Sequence, residues 1–463
     1  MRYVSTRGGV RPIDFGDAVM MGLADDGGLL VPEFIPDVSG ELPGWDGLPY
    51  SELAFQVISR YVGDLPPLEL RSLIDRSYGA AFEPAVAPTV RVGDLYVMEL
   101  WHGPTLSFKD VALQLLGNLF EHILARRGGR MNILGATSGD TGSAAICGVR
   151  GRTGIHIFVM HPAGRISAIQ ERQMTTILDD NVHNIAVEGS FDDCQRIMKS
   201  LASDLDFKRR YSLGAVNSVN WARVVAQIVY YIAGAFEARR ATGADRVQFA
   251  VPTGNFGDVL AGWYAMQMGA PISRLVLATN ENDILSRFFA TGVYSRGEVR
   301  RTLSPAMDIQ VASNFERYLY YKVGQDSDRL RSLMDGFSRT GALEIDADGP
   351  VDEALIAGTG TTEDCLDVIR RRQGDHEYGL DPHTAVGVAV AERLAVREAD
   401  RLGPVVCLAT AHPAKFPDAI RRATGRDMAH HPDIDRLAEL PTRSETLPND
   451  QDAVREFIMR TVD

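Results

Sequence analysis

At 463 residues the chain is too long for one ordinary core, and a typical domain size of about 150 residues implies two or three domains. A hydrophobic content of 45% beside 24% charged residues is that of a soluble globular protein and excludes a disordered chain. Lys and Arg number 48 against 61 Asp and Glu, a net charge of −13, which speaks against a nucleic-acid or anionic-membrane surface and leaves any small anion to be held by local groups.

The opening MRYVSTRGGVRP lacks the apolar run of a signal peptide, and no stretch approaches the roughly 18 apolar residues of a membrane span. Cys147, Cys194, Cys365 and Cys407 lie far apart with no CxxC pair, which suits a reducing compartment, so a cytoplasmic location is expected. Residues 1–90, with Pro and Gly turns and helical patterns such as SELAFQVISRYV, read as an N-terminal segment packed onto later domains. A first α/β domain is expected over 91–245 and a second over 246–463. The second carries a charged helical elaboration from about Asp326 to Gln373 and, after Pro441, a charged tail ending in the helix DAVREFIMRTV.

In YVMELWHGPTLSFKDVALQLLGNLFEHIL, apolar Ala112, Leu115, Leu116, Leu119, Phe120 and Ile123 follow helical spacing. Ser107 and Asp110 fit a capping box, which puts Lys109 in the first turn, where the positive helix end favours the neutral amine. A first-turn lysine taken alone is a solvated surface charge. Here it follows Trp101, His102, Gly103, Pro104 and Phe108, aromatic and small residues rather than a polar surface run.

Three times an apolar strand runs into a small-residue loop and then a helix. The segments are MNILGA–TSGDTG–SAAICGV from Met131, VQFAVP–TGNFGD–VLAGWYAM from Val247, and PVVCLA–TAHPAKF–PDAIRRA from Pro404. Such alternation implies parallel α/β layers, whose ligands collect at the carboxyl ends of strands. The Thr253–Asp258 loop offers glycines and helix N-terminal amides to an anion and, lacking Lys or Arg, is not a P-loop; a plain tight turn fits equally. The Thr137–Gly142 loop suits an amino-acid carboxylate or a simple cluster of N-caps. Thr410 could offer its hydroxyl to a ring nitrogen, cap a helix, or bond backbone.

In this order, SFKD, SGDTG, GNFG and TAHPAKF resemble the fold-type II pyridoxal-phosphate enzymes and, more narrowly, the bacterial and fungal threonine synthases. GATSGDTGSAA, GRISAIQERQMTT, NSVNWARVVAQIVYY, VPTGNFGD and the N-terminal MGLADDGGLLVPE carry the same resemblance, which spans the chain. It implies two parallel-sheet α/β domains with pyridoxal 5′-phosphate in the cleft, and Lys109 as the Schiff-base lysine. Gly254, Asn255, Phe256 and Gly257 would cradle the cofactor phosphate, and Thr410 would partner the pyridine nitrogen. Ser138, Gly139 and Thr141 would receive the substrate carboxylate, with Asp140 of the same loop near the cofactor, where many fold-type II relatives have asparagine. Asn217, Ser218 and Arg223 would hold the substrate's phosphate, with Arg165 a second candidate unless Ser167 and Gln170 merely form a capping box.

The implied reaction is phosphate elimination from O-phospho-L-homoserine followed by addition of water, giving L-threonine. A serine or threonine dehydratase would share the lysine and the cup but needs no phosphate site at Arg223; a related phospholyase would release phosphate but yield a keto acid. A non-catalytic binding protein on this fold would be free to lose Lys109, Thr410 and GNFG, which are intact. No strand is followed by GxGxxG with an acidic residue about twenty positions on, which disfavours a dinucleotide-binding dehydrogenase. The expected partner is the small-molecule substrate, with no nucleic acid and no membrane; monomer and dimer both stay open.

Overall fold

The computed structural model describes residues 1–137, 139–345 and 351–462. They form two compact units, one of Met1–His102 with Ser218–Ala429 and one of Gly103–Asn217 with His430–Asp463. In chain order the strands of the main sheets are β1 (Thr89–Val92), β2 (Leu95–Glu99), β3 (Met131–Ala136), β4 (Ile155–Pro162), β5 (Val182–Glu188) and β6 (Leu213–Gly214). They continue with β7 (Val247–Pro252), β8 (Ile272–Thr279), β9 (Leu355–Thr359), β10 (Val405–Ala409) and β11 (Glu445–Pro448). The helices that matter for the site are α1 (Lys109–Arg127), α2 (Asp140–Val149), α3 (Trp221–Thr242), α4 (Gly257–Gln267) and α5 (Pro382–Leu394).

The first unit holds a six-stranded sheet in the order β9-β8-β7-β10-β2-β1. All neighbours are parallel except β1, which pairs antiparallel with β2 at the edge. Every residue of β7 and β10 is buried, as expected for central strands of a sheet covered on both faces by helices. The polar member of that pair, Gln248, donates through Nε2 to the carbonyls of Ala395 and Gly403. Residues 3–61 pack within this unit, where Tyr3 and Tyr61 lie edge-on or tilted against Trp221 at the start of α3.

The second unit holds a fully parallel sheet in the order β11-β5-β4-β3-β6. Its helices α1 and α2 approach closely where Gly117 meets Gly148; a Cβ on Gly117 would strike the Gly148 carbonyl. The contiguous divisions at 90 and 245 are not where the units fall. β2 pairs in register with β10, Glu99 opposite Ala409, so the strand pair before Lys109 joins the same sheet as residues three hundred positions later. The last strand, β11, likewise returns to the second unit by pairing with β5. Among the described residues no helix is long and apolar enough to cross a membrane.

Candidate active site

Lys109 is the first residue of α1 and is 8% exposed, so it is not a solvated surface charge. The capping box expected before it does not form. The N-cap is Phe108, without a side-chain cap, and the Asp110 carboxylate instead accepts from the Thr105 amide and hydroxyl, each at 2.8 Å. The reason is local geometry: Leu106 adopts a positive φ of 58°, and the tight turn brings Thr105, not Ser107, over the first turn of the helix.

Asp140 opens α2 and is buried. Its Oδ2 lies 3.9 Å from Lys109 Nζ, and its Oδ1 accepts from Gln170 Nε2 at 3.1 Å. Gln170 therefore belongs to this cluster, and the alternative in which it closed a capping box with Ser167 fails: Ser167 is the N-cap of its helix but makes no side-chain cap. The loop before α2 is drawn tight by Thr137, whose hydroxyl accepts from the amides of Gly139 and Gly142 at 3.1 and 3.2 Å. Ser138 lies outside the described residues. Gly139 and Thr141 stand at the carboxyl end of β3, as its strand–loop–helix pattern requires.

In the first unit the carboxyl ends of β7 and β10 carry the other two loops. Thr253 to Phe256 lead into α4, whose first residue is Gly257. Gly254 must be glycine, because a Cβ there would lie 2.5 Å from the Ala306 carbonyl oxygen. Phe256 adopts φ 63°, and its ring is buried against Phe289, Phe315 and Tyr318, so it can offer a ligand only its backbone. Asn255 is braced by Asn314, whose backbone and side-chain amides both donate to the Asn255 carbonyl. This is a backbone cradle at a helix N-terminus, kept open by a glycine, and it suits a bound phosphate. Thr410 follows β10 and is 6% exposed; its amide donates to the Thr384 hydroxyl, and among the described residues its own hydroxyl is not engaged. The cradle and the Thr410 hydroxyl, after neighbouring strands of this unit, suit the phosphate and ring nitrogen of pyridoxal 5′-phosphate, and the buried Lys109 of the other unit is a residue type that suits its aldehyde.

Arg223 lies in the first turn of α3 and is only 5% exposed, so it is not a surface arginine. Its Nη1 is buried without a hydrogen-bond partner, and burial pulls the guanidinium down to about 10. Among the described residues no carboxylate pairs with it, and a buried guanidinium without one is expensive and suits an anion. Asn217 is half-buried with an unpartnered Oδ1, and the Ser218 carbonyl accepts from Asn314. Arg165 is exposed.

Sequence reasoning missed several buried polar groups. Asp258, next to the cradle, accepts from Tyr230 and Tyr231 of α3 at 2.5 and 2.8 Å, and burial raises its carboxyl to about 6. At the end of β2, Glu99 accepts from Tyr378 at 2.7 Å and meets His102 Nε2 at 2.8 Å. Asp381, at the start of α5, binds both His383 and Thr384. The one available signal was Asp258 in the loop after β7, where a strand end predicts a ligand edge; Glu99 and Asp381 carried none.

Residues 84–411 match the sequence model of the family described as pyridoxal-phosphate dependent enzyme, and the two parallel sheets are those of its fold-type II members. Residues 2–78 match the threonine synthase N terminus and residues 384–458 the threonine synthase C-terminal model. The chain belongs to the threonine synthase family. It is 46% identical to threonine synthase of Pseudomonas aeruginosa, over 99% of this chain and 98% of that one. The crystal structure of pyridoxal-phosphate-bound threonine synthase from Brucella melitensis superposes with a TM-score of 0.95 at 42% identity, covering 100% of this chain and 99% of that one. Yeast threonine synthase gives 0.94 at 38% identity, covering 100% and 98%.

Proposed function

We infer that the chain performs the reaction of its family, eliminating phosphate from O-phospho-L-homoserine and adding water to give L-threonine, with pyridoxal 5′-phosphate as cofactor. Arg223 supports this reading best: a buried guanidinium with an unpartnered Nη1 suits a substrate that brings a phosphate, and a dehydratase would have no use for it.

When bound, the cofactor supplies an electron sink for the charge left as the proton beside the amino group departs. Lys109 would hold it covalently, the amides of Gly254, Asn255, Phe256 and Gly257 its phosphate, and the Thr410 hydroxyl its ring nitrogen. Once the substrate amine has displaced it, the Lys109 amine takes the proton from the α-carbon and gives it up again before moving the β-carbon proton to the γ-carbon as phosphate leaves. Water then adds its hydroxyl at the β-carbon and its proton to the phosphate, and the α-carbon is reprotonated. Asp140, 3.9 Å from Nζ in the free chain, stabilises the ammonium formed after each uptake. Ser138, Gly139 and Thr141 receive the substrate carboxylate. Asn217, Ser218 and Arg223 take the substrate phosphate and hold it as it leaves; the exposed Arg165 is the weaker candidate for that role.

The reading is tested by comparing kcat/KM for O-phospho-L-homoserine with that for O-acetyl-L-homoserine and for L-serine. A preference of about a hundredfold or more for the phosphorylated substrate is expected from a desolvated guanidinium–phosphate contact. Equal turnover of all three would refute it.

A further inference from the structure

The phosphate cradle and Thr410 belong to different loops, after β7 and β10, yet one buried carboxylate reaches toward both. Asp381 is 1% exposed and is the N-cap of α5. Its Oδ1 accepts from the His383 amide at 2.9 Å and meets His383 Nδ1 at 2.8 Å; its Oδ2 accepts from the Thr384 hydroxyl. His383 Nε2 accepts the Ala306 amide at 3.2 Å. That amide can only donate, so in neutral His383 the proton sits on Nδ1 and is given to Asp381. Ala306 in turn presents the carbonyl that abuts Gly254, 2.5 Å from where a Cβ would stand. On the other side, the Thr384 hydroxyl accepts the Thr410 amide at 3.1 Å.

We propose that Asp381 is a positioning residue that fixes the phosphate cradle and Thr410 relative to one another, the cradle through His383 and Ala306, and Thr410 through Thr384. Helix capping accounts for the backbone bonds but not for the two side chains, each of which turns outward to a different loop. Asp381, His383, Thr384 and Thr410 are buried, so the bonds among them are made in a medium where an unmade one is costly, and the cradle arm emerges at the exposed Ala306. A pyridoxal phosphate has a set distance between its phosphate and its ring nitrogen, and a rigid connection between the two contact groups would select that distance before the cofactor arrives. The inference rests on the assignment of Gly254–Gly257 and Thr410 to the cofactor.

The two arms can be broken separately. Binding of pyridoxal phosphate and of inorganic phosphate to the apo protein, and the absorption spectrum of the loaded protein, would be measured for wild type, H383F, T384V, T384S, D381N and T410A. H383F should weaken both phosphate ligands about tenfold, the size expected for one charge-assisted hydrogen-bond connection, with little spectral change. T384V should shift the spectrum toward that of T410A while inorganic phosphate binds within about twofold of wild type, and T384S, which keeps the hydroxyl, should restore the wild-type spectrum. Asn caps helices as well as Asp does, so D381N keeps the start of α5 but offers one arm a donor for an acceptor; it should show a defect of at least one arm. If T410A alters the spectrum while T384V and H383F match wild type in every readout, the positioning role is wrong and the cofactor assignment stands. If T410A too is indistinguishable from wild type, the assignment itself fails and takes the inference with it.

Discussion

Replacing Arg223 by methionine should make the free protein more stable and nearly inactive. Burial holds this guanidinium at about 10, and at roughly 1.4 kcal/mol per tenfold change the fall from its ordinary value amounts to about 3 kcal/mol of desolvation. Among the described residues no carboxylate offsets it; the other charge-related influence on it is Tyr230. Methionine is unbranched and apolar, fills similar space, and removes that cost, so a gain of roughly 1–3 kcal/mol in stability is expected. In the complex the balance reverses, because the substrate phosphate then loses its desolvated partner. That loss is roughly 2–5 kcal/mol, or about 30-fold to several-thousand-fold in kcat/KM. Thermal unfolding and steady-state kinetics measure the two effects, and inorganic phosphate added to the cofactor-loaded protein gives a third. Phosphate should raise the unfolding temperature of wild type but not of R223M. An R223M protein that is less stable than wild type and keeps its kcat/KM would show that Arg223 is a structural residue and refute the reasoning.

Other perturbations follow from the same geometry. Lys109→Ala should lower turnover by roughly a thousandfold or more and leave no cofactor that borohydride can fix to the chain; normal turnover would remove Lys109 from the mechanism. Gly254→Ala puts a methyl 2.5 Å from the Ala306 carbonyl oxygen, so cofactor affinity should fall about tenfold or more, read by titration of the apo protein. Affinity within about twofold of wild type would mean the cradle is not where the phosphate binds. The buried Asp258 carboxyl is raised from 3.8 to about 6, so the folded state binds its proton over a window where the unfolded state has already released it. Stability should therefore fall by up to about 3 kcal/mol as pH rises from about 4 to about 6 and then level off, and Asp258→Asn should lack that fall in urea unfolding.

What could be read in the sequence was local: each strand–loop–helix segment, the glycines of the cradle, and a lysine at a helix start. These follow from periodicity and backbone requirements that lie within about twenty residues of one another. Charge environment was not legible, because it depends on partners distant in sequence. Nothing local to Arg223 marks its burial, and Asp140 becomes the neighbour of Lys109 only through the packing of α1 on α2. The capping box before Lys109 failed because Thr, Ser and Asp at 105, 107 and 110 allow two cap geometries, and the positive φ of Leu106 selects the second. Asp381, His383 and Thr384 look like an ordinary helix start; only their bonds to Ala306 and Thr410 show more. The interleaved units were hidden for the same reason, since a strand pair at 89–99 carries no mark of its partner at 405–409.

The most direct test of the central claim is to incubate the purified, cofactor-loaded protein with O-phospho-L-homoserine and assay threonine, phosphate and keto acid together. Threonine and phosphate in equal amounts, with negligible keto acid, are the predicted result. Phosphate accompanied by a keto acid and ammonia in place of threonine would contradict it, leaving the fold and the cofactor intact but making the enzyme a phospholyase.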